Sequence, residues 1–99
     1  MRVYISGPIS GVENPEVAFA EAEKIIEAEP GFEAINPIGI GIFLEAELGR
    51  KPTWQEYMRA DIKAMLSCDA VYMLPGWMDS KGARIEAFIA KELGFKRAH

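Results

Sequence analysis

The chain is poor in the residues that build disulfides and metal centres. It contains one cysteine, Cys68, and one histidine, His99. A single thiol excludes an internal disulfide, and one thiol with one imidazole excludes a zinc site of the His/Cys type within a single chain. Cys68 lies at the end of a helical pattern beside an apolar run, the setting of a small buried residue. No apolar run approaches the roughly 18 residues that suggest a membrane span. The opening residues lack a charged region followed by a long apolar one, so no secretory leader and no membrane partner are expected. The expected compartment is the cytoplasm. Basic residues are also sparse: 11 Lys and Arg stand against 15 Asp and Glu, a net charge of −4. They are scattered apart from Lys96-Arg97. Without a concentrated basic face, counterion release cannot drive binding, which argues against a nucleic-acid polymer as partner. Neither a Walker A loop nor a G-x-G-x-x-G follows the first strand pattern, so the kinase and dinucleotide readings lack their defining loops. No cofactor and no metal are expected.

What remains is an ordinary globular composition, 49% hydrophobic and 26% charged over 99 residues, consistent with one domain spanning residues 1–99. So short a chain builds a modest core, which makes a homodimer or homotetramer plausible.

Arg2 to Ser6 is rich in β-branched and aromatic residues and stops at Gly7-Pro8, a buried-strand pattern. Asn14-Pro15-Glu16 reads as a helix start with Asn as N-cap, and Pro30-Gly31 as its end. The apolar stripe between them is Ala18, Phe19, Ala22, Ile25 and Ile26. Phe32 to Asn36 forms a second short strand, closed by Pro37. Ile38 to Gly41 reads as loop, and Ile42 to Leu48 as a short helix or lid. Thr53-Trp54-Gln55-Glu56 is a capping box. It opens a helix with Trp54, Met58, Ile62, Met65 and Leu66 at helical spacing and Asp61 on the edge of that stripe, in line with Tyr57 and Trp54. Ala70 to Leu74 is a third strand, Ser80 caps a last helix, and Gly94 ends it. Phe95 to His99 is a tail or the stub of a fourth strand. This alternation of strands and helices implies a parallel sheet of three to four strands with helices on both faces.

In a parallel sheet the carboxyl ends of the strands meet at one edge, where ligands bind. The loop Ser6 to Gly11, the end of the second strand at Asn36-Pro37, and the loop Gly76 to Gly82 should therefore border one cleft. Ser6 and Ser10, among the backbone N–H groups of Gly7, Ile9 and Gly11, suit a phosphate or sugar hydroxyls, or else serve ordinary turn chemistry. Ser80, with the N–H groups of Lys81 and Gly82, opens a helix, either as an anion site or as a plain N-cap. Trp77 could stack on a base, plug the loop, or meet another subunit. Glu86 is the residue that most needs a reason. It falls among Ala83, Ala87 and Ala90 on the sheet-facing side of its helix, either as a satisfied structural acid or as a nucleophile or base. Gly82, four residues earlier, leaves room for something to approach. Tyr4 either packs in the core or hydrogen-bonds a carboxylate on a neighbouring helix. Asp61 either orients a substrate or pairs at the surface with Arg59 or Lys63.

Several segments taken together resemble a known family. Val3-Tyr4-Ile5-Ser6-Gly7-Pro8-Ile9-Ser10-Gly11, Tyr57 to Ile62, Cys68 to Trp77 and Ser80 to Glu86 are similar to the small phage and bacterial proteins described as nucleoside 2-deoxyribosyltransferase-like. Their superfamily includes nucleoside 2-deoxyribosyltransferases and nucleoside 5′-monophosphate N-glycosidases. The resemblance implies a small flavodoxin-like or Rossmann-like three-layer α/β sandwich. It matches Glu86 to the family's nucleophile, Tyr4 to the tyrosine that contacts it, and Asp61 to the aspartate that binds sugar hydroxyl. It likens Ser6 to Gly11, and Ser80, to a phosphate-cradling loop and its partner serine. The base-recognising aspartate would be Asp79, one residue off the usual spacing. The implied partner is a nucleoside or nucleotide, and the implied chemistry is displacement at the anomeric carbon. A binding module without turnover and a structural or interaction protein are the competing readings.

Overall fold

The computed structural model describes all 99 residues. Four strands form one parallel sheet in the order β2-β1-β3-β4: β1 (Arg2–Ser6), β2 (Glu33–Ile35), β3 (Ala70–Met73) and β4 (Lys96–Arg97). Four helices connect and cover them: α1 (Pro15–Glu27), α2 (Pro37–Leu48), α3 (Trp54–Leu66) and α4 (Lys81–Glu92). A short 3-10 turn, Trp77–Asp79, precedes α4. The result is a small flavodoxin-like sandwich. The stub expected near the end is β4, a two-residue strand whose charged Lys96 and Arg97 blunt an otherwise open sheet edge.

The alternation of β1 divides the core. Val3 and Ile5 point to one face and pack with Phe19, Ala22 and Ile26 of α1. Tyr4 points to the other face and packs with Met65 of α3, Val71 of β3 and Ala90 of α4. Side chains two apart share a face of a strand, so Ser6 lies on the same side as Tyr4. β1 is central, with Tyr4 paired to Ile35 on one side and to Val71 on the other. The chain leaves β1 toward β2 and later returns to β3 on the opposite flank. The carboxyl ends of β1 and β3 are therefore the topological switch point, where open α/β sheets place their ligands.

Local signals account for most helix ends. Thr53 and Glu56 close the capping box in both directions, and Glu56 also takes a two-pronged contact from Arg50 at 2.8 Å. Ser80 Oγ accepts from Ala83 N at 3.2 Å. Three readings need correction. Asn14 stands at the N-cap position but adopts a left-handed conformation (φ 52°, ψ 56°) and its side chain caps nothing. The stripe of α1 is narrower than its apolar residues, since Ile25 faces solvent. The loop expected at Ile38 to Gly41 is helix, because α2 runs unbroken from Pro37 to Leu48. Asn36 Oδ1 accepts from Ile38 N at 3.0 Å and Pro37 occupies the first helical position, a start strong enough to carry Gly39 and Gly41. Gly41 has a packing reason as well: a Cβ there would lie 3.3 Å from the Tyr57 ring of α3. Cys68 is buried, as expected. No helix is long and apolar enough to cross a membrane.

Candidate active site

A cleft of about 580 Å³ opens at the carboxyl ends of β1 and β3, within the size range of small-molecule sites. The loop after β1 supplies Gly7, Ile9 and Ser10. The segment entering α4 supplies Asp79, Ser80, Lys81 and Gly82. α2 and α3 form the remaining walls. Gly7 is required by packing: a Cβ there would lie 2.7 Å from Leu74.

Glu86 forms the floor. It is 4% exposed, near the middle of α4. Tyr4 Oη donates to its Oε2 at 2.7 Å, and Ser6 Oγ donates to its Oε1 at 2.6 Å. The two donors come from the one strand face that looks toward α4. Burial raises the Glu86 carboxyl above the usual range, and the Ser6 and Tyr4 hydrogen bonds pull it back by favouring the anion. Tyr4 is held well above the usual phenol range, first by burial and then by the Glu86 charge, so it remains a donor.

Asp61 lines the same cleft from α3 at 7% exposure, and its Oδ1 has no hydrogen-bond partner. Burial, followed by the Glu86 charge, pushes its carboxyl up to about 7. The surface pairing with Arg59 or Lys63 is absent. A buried polar atom without a partner is uncommon, and here it belongs to a cleft wall. Two carboxyls therefore share one concave site with different surroundings. Glu86 is tied by two hydroxyl donors, whereas Asp61 has an acceptor unused. No three His, Cys, Asp or Glu side chains come together in a metal-holding group.

A family model described as a domain of unknown function, DUF4406, matches residues 1–97. The chain belongs to this family. No curated protein and no solved structure matches the chain. The description of the DUF4406 family assigns no chemistry, so the cleft has to be read from its own residues.

In this DUF4406 domain, Tyr4, Asp61 and Glu86 meet in one cleft although 82 positions separate Tyr4 from Glu86. Gly7, Ile9, Ser10, Asp79, Ser80 and Gly82 line it too. Four other candidates lie elsewhere. Ser6 is fully buried behind the floor, with its hydroxyl given to Glu86 rather than to a ligand. Gly11 sits at φ 76° in an exposed turn. Asn36 is occupied by capping α2 and by donating to Glu23 at 3.3 Å. Trp77 turns to a different groove, where the Arg97 guanidinium lies 5.3 Å from its ring centre. Gly82 makes its close approach to Met58, whose sulfur would lie 3.0 Å from an added Cβ.

Sequence reasoning overlooked the aromatic and cationic part of the wall. Trp54, Tyr57, Lys51 and Lys81 all line the cleft, and Lys81 Nζ lies 4.5 Å from the Trp54 ring centre. The sequence pattern sets Tyr57 and Trp54 in line with Asp61, four and seven positions before it on one helix face, without assigning them to the cleft. The wall contributed by α2 includes Ile38, from the segment expected as loop, and Ile42, from the start of the segment expected as a short helix or lid.

Proposed function

We propose that this protein cleaves or transfers at the N-glycosidic bond of a nucleoside or nucleoside 5′-monophosphate, with Glu86 as nucleophile. The observation that carries the proposal is the Glu86 carboxylate, buried on a cleft floor with Tyr4 and Ser6 each bonded to one oxygen. The resemblance to nucleoside 2-deoxyribosyltransferase-like proteins supplies the reaction class.

Glu86 attacks C1′ of the sugar. The C1′–N bond breaks, its electron pair leaves with the base, and the base takes a proton from Asp79 or solvent. The resulting ester between Glu86 and C1′ is resolved by water, which gives the free sugar and a proton, or by a second base, which gives a new nucleoside. This is the double displacement of retaining glycosidases. Tyr4 and Ser6 hold the carboxylate in one orientation and favour its ionised form against the effect of burial, so less reorganisation is needed at attack. The free Oδ1 of Asp61 accepts a sugar hydroxyl. Trp54 and Tyr57 offer aromatic surface to the base, and Lys51 and Lys81 at the rim favour a substrate that carries a 5′-phosphate.

A second reading has its own support. Both oxygens of Glu86 already accept short hydrogen bonds, as in a satisfied structural acid, and a nucleotide-binding module without turnover needs no more. The test incubates the protein with a panel of deoxynucleosides and their monophosphates and follows free base by chromatography. Base release abolished by Glu86→Gln supports the first reading. A rise in Tm with a nucleotide and no base release supports the second.

A further inference from the structure

α2 buries only part of its surface, through Pro37, Ile38 and Ile40. It is apolar around most of its circumference, yet only Pro37 is fully buried. Ile42 is 67% exposed and Phe43 68% exposed. Gly39 and Ala46 are exposed as well, and they share a helix face with these two by their spacing of three and four. A helix of this kind is normally covered by something. Its only charges are Glu45 and Glu47, both exposed and in no ion pair.

A second surface is complementary. A groove of about 430 Å³ runs between α4 and the β3–β4 edge, over a floor of Val71, Met73 and Ala90. Trp77, Phe88 and Phe95 line it, with Phe88 65% exposed. Its rim carries Arg84, Lys91 and Arg97, all exposed and none in an ion pair, and no acid lines it. In a chain of net charge −4, α2 is thus an apolar helix whose own charges are all acidic, and the groove is an apolar surface whose rim charges are all basic. Contiguous exposed apolar patches of this kind mark association sites.

We infer that α2 of one chain docks on the α4–β4 groove of a second copy, with Ile42 and Phe43 entering the groove and Glu45 and Glu47 facing its basic rim. The groove volume suits side chains rather than a whole helix. A two-fold dimer makes the contact twice, once in each direction, which is how two small patches approach the roughly 800 Å² per partner of a stable interface. Ile42 and Glu45 also line the cleft, so the docked neighbour covers its lip. The inference is independent of the glycosidic reading, because mass and charge test it rather than turnover.

Sedimentation velocity on the full chain at about 10–100 μM, concentrations at which weak dimers with micromolar Kd form, reads the outcome. Wild type is expected to dimerise. Glu45→Lys with Glu47→Lys, and separately Arg84→Glu with Lys91→Glu, place like charges across the contact and should weaken dimerisation by roughly tenfold or more. Mixing the two variants should restore a dimer, because each α2 in the mixed pair then meets opposite charge at positions 84 and 91 of its partner. All four positions are exposed, and circular dichroism verifies that the variants fold. A wild type that remains monomeric, a dimer that survives both charge reversals, or a mixture that stays monomeric overturns the inference.

Discussion

Replacing Asp61 by Asn should stabilise the protein at alkaline pH and leave it nearly unchanged in acid. Asp61 is buried, its Oδ1 has no partner, and its carboxyl is pushed from an ordinary 3.8 up to about 7 by burial and by Glu86. A carboxyl raised in the folded state binds its proton more tightly there than in the unfolded chain. The folded state therefore loses stability as pH rises from about 4 to about 7. At 1.36 kcal/mol per pH unit this window is worth about 4 kcal/mol, and relaxation of the site and coupling to Glu86 bring the measurable part to about 2 kcal/mol. Asn keeps the shape and carries no charge at any pH. Urea unfolding at pH 4.5 and pH 8 measures the difference. Asp61→Asn should match wild type within about 1 kcal/mol at pH 4.5, where the aspartic acid is also neutral, and exceed it by about 2 kcal/mol at pH 8. For a domain of this size that gain corresponds to a rise in Tm of about 8–16 °C. A difference between the two proteins that does not change with pH would refute the account of Asp61 as a buried, unpaired carboxyl. A stability optimum above pH 7 that Asp61→Asn does not move would refute it equally.

Other outcomes follow from the same geometry. Tyr4→Phe removes the donor to Glu86 Oε2 and should cost about 1–3 kcal/mol in chemical unfolding, the price of an unsatisfied buried acceptor. Because that hydrogen bond lowers the Glu86 carboxyl, its loss should also move the acid limb of any base-release profile to higher pH. Ser6→Ala should shift that limb in the same direction, while retaining nucleotide affinity, since its hydroxyl serves Glu86 and does not line the cleft. Two glycines should respond differently to alanine. Gly7→Ala drives a Cβ to 2.7 Å from both Cβ and Cδ1 of Leu74 and should destabilise by about 1–3 kcal/mol in urea unfolding. Gly82→Ala meets only the Met58 sulfur at 3.0 Å, a flexible side chain, and gains helix propensity of about 1 kcal/mol, so the same assay should find it neutral or slightly stabilised.

Much of this protein was legible from contiguous residues. Arg2 to Ser6 read as a strand because β-branched and aromatic residues run together and stop at Gly7-Pro8. Thr53 and Glu56 announced α3, and Ser80 announced α4, because capping groups and the N–H groups they satisfy lie within one turn of each other. Topology then brought the loops after β1 and β3 to one edge without any contact being known. α2 was half missed for the opposite reason. Gly39 and Gly41 disfavour helix locally, and the Asn36-Pro37 start carries the helix past them, helped by the tertiary packing of Gly41 against Tyr57 of α3.

The site was decided at the tertiary level. The sequence alone placed a carboxylate among alanines at Glu86 and left open whether it was reactive or merely satisfied. The structure assigned its two donors, Tyr4 and Ser6, which lie 82 and 80 positions away. It moved Ser6 from the ligand to the carboxylate, turned Trp77 out of the cleft, and brought in Trp54, Tyr57 and Lys81. The physical reason is one of range. Capping and strand pattern act over a few bonds and are written locally. Burial, and the shift in ionisation that follows from it, exist only once distant segments have excluded water from the same volume.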